Sequence, residues 1–135
     1  MSSNLILLAL LSLFIVAPAH ALADALVGTW KIKITPDEDA RKAGEKKEIE
    51  DKITLKGSKF VSERWKKEHK FEAVEYEEDS RRGPIAKFTA KPTSKTAGKM
   101  EWTGIVTSGV IKGEITWTKA DGTELKYAFE GEKSQ

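Results

Sequence analysis

The chain has 135 residues, 23 Lys or Arg against 21 Asp or Glu, a formal net charge of +2 and no cysteine. The two signs of charge are interspersed, so no single-sign field points to nucleic acid or an anionic membrane. The lack of cysteine excludes disulfide stapling, thiol chemistry, Cys-based zinc sites and an N-terminal lipidated cysteine.

The N-terminal stretch reads as a targeting segment. Leu5 to Val16 is apolar except for Ser12, Pro18 follows as a breaker, and Ala19-His20-Ala21 and Ala21-Leu22-Ala23 are small-residue cleavage patterns. A run this short does not span a bilayer core of ~30 Å but suits a signal-peptide core. Residues 1–23 are expected to be removed, with cleavage between Ala21 and Ala23, although no Lys or Arg precedes the apolar run. An uncleaved anchor is the rival reading. Residues 24–135 then form a single secreted or periplasmic domain with no further membrane span, expected to be monomeric.

In that domain the apolar residues recur at period two, the mark of half-buried strands. Trp30, Ile32 and Ile34 alternate with Lys31, Lys33 and Thr35. Pro36 to Gly44 breaks the rhythm, with acids first, bases behind and a closing Gly, which fits a short helix or a solvated loop. Ile49, Ile53 and Leu55 resume the alternation. Phe60–Trp65 and Phe71–Tyr76 read as two further strands whose inward faces the parity leaves open. Ala86, Phe88 and Ala90, then Met100, Trp102 and Gly104, then Ile111 to Trp117, then Leu125, Tyr127 and Phe129 complete the series. Turn signals separate them, among them Lys56-Gly57-Ser58, Ser108-Gly109 and Ala120-Asp121-Gly122. About eight sequential antiparallel strands predict an all-β, up-and-down barrel, which buries one face and removes both edges. A two-sheet sandwich is the alternative.

Leu26-Val27-Gly28-Thr29-Trp30-Lys31, a Gly-x-Trp opening the first strand of a β meander, resembles the calycin group of lipocalins, fatty-acid-binding proteins and avidins. The resemblance implies that Gly28 and Trp30 close one end of the barrel, and that a basic residue near the last strand packs against the Trp. Lys126 and Lys133 are the candidates for that partner. No Arg stands at the C-terminal end, which departs from the pattern. The segment from Trp102 to Gly131 is also similar to small secreted bacterial proteins of lipocalin-like shape.

Catalytic signatures are sparse. His69 is the single histidine after the leader and has none of the usual partners at local spacing, so it reads as an exposed turn residue. No Gly-x-Ser-x-Gly elbow or phosphate-binding Gly loop is present. Asp37-Glu38-Asp39 and Glu75 to Asp79 lack the ligand spacing of a calcium loop and read as solvated charge. No enzyme, metal or cofactor is expected.

Two readings of function remain. One is a binding protein for a small, partly apolar or aromatic molecule, held in a cavity lined by Phe88, Met100, Trp102, Ile115, Trp117 and Tyr127. The small inward residues Ala86, Ala90, Gly104 and Gly113 leave room for such a ligand. The other is an envelope or extracellular interaction module whose barrel is filled by the same aromatics. Asp51 is the one acid on an apolar parity. Either its carboxylate meets a cation or ligand inside, with Arg64 the candidate, or it sits in water at the open rim, which the cost of burying a charge favours.

Overall fold

The computed structural model describes residues 25–82 and 85–134. Residues 1–23, expected from the sequence to be a removable leader, lie outside the described residues.

Among the described residues, alternation in the sequence becomes nine strands: β1 (Gly28–Pro36), β2 (Ile49–Lys56), β3 (Lys59–Ser62), β4 (Val74–Arg82), β5 (Ile85–Ala90), β6 (Thr93–Ser94), β7 (Gly98–Thr107), β8 (Val110–Thr118) and β9 (Glu124–Lys133). Two short helices interrupt them, α1 (Glu38–Lys42) and α2 (Glu63–His69). Every pairing is antiparallel, and the strands follow one another around the sheet in chain order. The two-residue β6 hangs on the start of β7, while β5 bypasses it to pair with β7 directly. β9 returns to β1, from Trp30↔Lys133 to Pro36↔Tyr127, so eight strands close into a barrel. The all-β, up-and-down architecture expected from the sequence is the one observed, and the sandwich is not.

Burial follows the parity. On β1, Trp30, Ile32 and Ile34 are buried while Lys31, Lys33 and Thr35 are exposed. Met100, Trp102 and Val106 on β7, Ile111, Ile115 and Trp117 on β8, and Leu125, Tyr127 and Phe129 on β9 complete a single continuous core. Two glycines make room for it. A Cβ on Gly104 would lie 2.3 Å from the Phe88 ring, and one on Gly113 would lie 2.6 Å from the Phe129 ring. The space these glycines vacate inside the barrel is thus taken by neighbouring phenyl rings.

The short helix expected after the first strand is α1. Asp37 caps it by accepting the Ala40 N–H at 2.8 Å, with Glu38 and Asp39 in the first turn and Arg41 and Lys42 in the last. The strand expected over Phe60–Trp65 is corrected: it ends at Ser62 and the chain turns into α2. Ser62 is the N-cap, its Oγ accepting the Trp65 N–H at 3.2 Å, and Lys70 ends the helix in the left-handed region at φ 60°. The strand expected over Phe71–Tyr76 begins only at Val74. Cutting β3 short leaves a thin seam. β3 and β4 share only two register pairs, Lys59↔Glu75 and Phe60↔Val74.

Candidate functional site at the mouth of the barrel

The two ends of the barrel are closed differently. At one end Gly28 pairs with Leu55 and Trp30 with Lys133. Trp30 is fully buried, donates its indole N–H to the Leu26 carbonyl at 3.0 Å, and carries the Lys133 ammonium 5.3 Å above its ring. Of the two basic partners expected from the sequence, Lys133 is the one in place.

At the opposite end β1 gives way to α1, and Pro36, Tyr127, Met100 and Trp117 form the upper layer. Here α2 replaces the missing upper part of β3 and drives Trp65 into the interior. The Trp65 ring, 3% exposed, lies 5.5 Å from Tyr127, 5.6 Å from Trp102 and 5.9 Å from Trp117, centroid to centroid. Trp102 continues the cluster to Phe60 at 4.9 Å and Phe129 at 5.2 Å, and Phe60 continues it to Phe88 at 5.8 Å. Phe71 and His69 pack on Trp117 at 6.0 and 5.0 Å. All six residues singled out as cavity-lining, Phe88, Met100, Trp102, Ile115, Trp117 and Tyr127, are buried in this one interior. The residue that sequence reasoning missed is Trp65, placed on a strand of uncertain face. The signal was present in Ser62-Glu63-Arg64-Trp65-Lys66-Lys67-Glu68-His69, an N-cap followed by an acid, strong helix formers and an Arg64–Glu68 pair at i, i+4.

Among the described residues, one fully enclosed side-chain polar atom lacks a hydrogen-bond partner, and it lies in this cluster. Trp117 donates to the Ala97 carbonyl at 2.8 Å, and the Tyr127 hydroxyl donates to Glu45 Oε1 at 2.7 Å. Burial, reinforced by the Glu45 carboxylate, pushes the Tyr127 phenol far above its ordinary pKa. The Trp102 indole N–H is buried and has no hydrogen-bond partner.

Asp51 is not at a solvated rim. The residue is 6% exposed and its carboxylate accepts three bonds: from Ser62 Oγ at 2.5 Å, from the Lys52 N–H at 2.7 Å and from the Arg64 N–H at 2.9 Å. Arg64 therefore meets Asp51 through its backbone. Its guanidinium turns away to the Glu50 carbonyl at 3.2 Å and to Glu68 at 3.0 Å. The reason is local: Asp51 reaches the first turn of α2, where unpaired backbone N–H groups need an acceptor. Loss of solvation raises the Asp51 pKa, and the three donors only partly offset it. The far end of α2 is also tied, the Ser94 hydroxyl donating to the His69 carbonyl at 2.6 Å. His69 is a half-buried helix-end residue against Trp117, which corrects the reading of an exposed turn.

Two clefts, of about 880 and 430 Å³, are present, the larger across β1, β8 and β9, where Lys and Glu side chains are joined by Ile32, Val110, Ala128 and Phe129, and the smaller among charged side chains beside the start of α2. Neither is lined by Trp65, Trp102, Trp117 or Tyr127. Their mixed charge and openness suit solvated surface better than a ligand chamber. Among the described residues no three His, Cys, Asp or Glu side chains converge on a point that could hold a metal ion. No helix among them is long and apolar enough to cross a membrane. No family model, curated protein or solved structure matches the chain.

Proposed function

We propose that the chain is a secreted or periplasmic, non-enzymatic, lipocalin-like protein that binds one small, partly apolar molecule in its barrel, with α2 as a stopper displaced by the ligand. The observation that carries this reading is the position of Trp65, an indole inserted among Tyr127, Trp102 and Trp117 from a seven-residue helix. A strand at this place would have completed the wall; the chain instead places a removable side chain in the mouth. The helix is held by end contacts and lies beside the two-pair seam between β3 and β4, so its release leaves the other strand pairings intact.

The test is intrinsic tryptophan fluorescence of the purified protein, titrated with fatty acids, flat aromatics and haem-like molecules. Saturable quenching that disappears in Trp102→Phe or Trp117→Phe supports the reading. A flat response to the whole panel, with blue-shifted emission, removes it for those ligands. A packed interaction or structural module is the second reading. It is favoured by Phe88 and Phe129, whose rings occupy the space opened by Gly104 and Gly113.

A further inference from the structure

Trp102 is the most enclosed tryptophan that lacks a polar partner. The other two barrel-wall tryptophans donate to carbonyls, Trp30 to Leu26 at 3.0 Å and Trp117 to Ala97 at 2.8 Å. Trp102 is at least as buried as either, at 0% exposure, yet its N–H meets no acceptor, and the rings packed on it belong to Phe60, Trp65 and Phe129. An unpaired buried donor is costly, and buried polar groups without partners are few in folded proteins. Phe60 and Phe129 are fixed on barrel strands by ladder hydrogen bonds. Trp65 alone among these neighbours sits on the short helix tied at its two ends.

Resting on the ligand-binding reading above, we infer that the molecule bound in the barrel is a flat, uncharged aromatic of roughly indole size carrying a hydrogen-bond acceptor, which takes the place of Trp65 and accepts the Trp102 N–H. The walls left by Trp65 are the rings of Trp102, Trp117 and Tyr127, which suit a planar guest. The nearby ionisable groups are of both signs: the carboxylates Glu45, bonded to Tyr127, and Asp51, bonded to the start of α2, with the Lys119 ammonium 5.2 Å above the Trp117 ring and His69 packed on the same ring. No charge of a single sign faces these rings, so an uncharged guest is favoured over one that must bury a charged head group, such as a fatty acid.

The test compares isoquinoline, which is flat with a ring-nitrogen acceptor, with naphthalene, which has the same shape and no acceptor. Both are titrated into wild type, Trp65→Ala and Trp102→Phe at neutral pH, following the tryptophan indole N–H resonances by NMR. Isoquinoline is expected to bind about tenfold tighter than naphthalene, the worth of one satisfied buried donor, and to move the Trp102 resonance downfield. That advantage should grow no smaller in Trp65→Ala and should vanish in Trp102→Phe. Equal binding of the two probes, or an isoquinoline advantage that survives in Trp102→Phe, overturns the inference while leaving an interior ligand site in place. Binding of neither probe to wild type or to Trp65→Ala overturns the site itself. If Trp65→Ala does not fold, wild type and Trp102→Phe decide the comparison.

Discussion

Asp51 on β2 accepts the backbone N–H of Arg64 at 2.9 Å, so a buried strand carboxylate secures the first turn of the helix that stops the barrel. With the Ser62 hydroxyl on its second oxygen, it ties the start of α2 to the wall through polar contacts. Asp51→Ala leaves these donors buried without an acceptor and is expected to cost about 2–3 kcal/mol, read from the urea midpoint at pH 7.

The pH dependence of that tie has a definite sign. Burial raises the Asp51 pKa in the folded state, so the native protein binds this proton more tightly than the unfolded chain. The stabilisation is complete below the unfolded value, about 3.9, and is lost as pH rises through the raised folded value. Wild type should therefore gain stability relative to Asp51→Asn as pH falls from neutral toward 4. Paired denaturation curves across that range check it; a difference independent of pH would contradict it.

The barrel was legible because its alternation is nearly unbroken in β1, β5, β7, β8 and β9, where Lys, Thr or Glu marks most outward positions, Ile105 and Ala128 being exceptions. The mouth was less legible for a physical reason. Val61, Trp65, Phe71 and Val74 mix a helix period with strand periods over a short stretch, so parity gives no single inward face. Asp51 misled in another way. A carboxylate on an apolar parity is sensibly sent to water unless its partners are known, and here the partners are backbone and hydroxyl donors supplied by a helix that the parity did not reveal. The six residues expected to line a cavity are all buried in one interior, but Trp65 at its centre was not foreseen, because it arrives from outside the strand pattern.

Trp65→Ala should cost about 3–5 kcal/mol if the surrounding rings cannot collapse into the space. The far-UV signal of the barrel should persist, since the strand ladders do not depend on this side chain. Hydrogen exchange should rise in 63–71 well before it rises in β7, β8 or β9, because α2 loses its one buried side chain while keeping only its end ties.

Gly104 and Gly113 are both intolerant, but for different reasons. A Cβ at Gly104 meets side chains, Phe88 at 2.3 Å and Phe129 at 3.1 Å. A Cβ at Gly113 meets the Thr103 carbonyl oxygen at 2.0 Å as well as the Phe129 ring. Gly104→Ala should thus be destabilising by about 1–3 kcal/mol and partly relieved by Phe88→Leu, its cross-strand neighbour. Gly113→Ala should not be relieved by Phe129→Leu, because backbone cannot be trimmed. A double-mutant cycle at each site measures the difference.

Tyr127 and Glu45 make the last prediction, at high pH. The chain has two tyrosines, Tyr76 and Tyr127, and burial raises both phenol pKa values, that of Tyr127 much further because it is more deeply buried and its hydroxyl donates to the Glu45 carboxylate at 2.7 Å. An ordinary phenol ionises near pH ~10. In the native protein the phenolate absorbance should be largely absent at that pH, and both tyrosines should titrate normally once the chain is unfolded in guanidinium. Because the folded state resists ionisation, the stability contributed by Tyr127 is complete below the unfolded pKa and is lost as pH rises above it. Tyr127→Phe forfeits the Glu45 hydrogen bond and should cost about 1 kcal/mol at pH 7. It should also flatten the fall in stability above pH ~10, since no phenol remains at that position to ionise on unfolding. An alkaline limb equally steep in Tyr127→Phe and wild type would mean that Tyr127 does not stay protonated against Glu45.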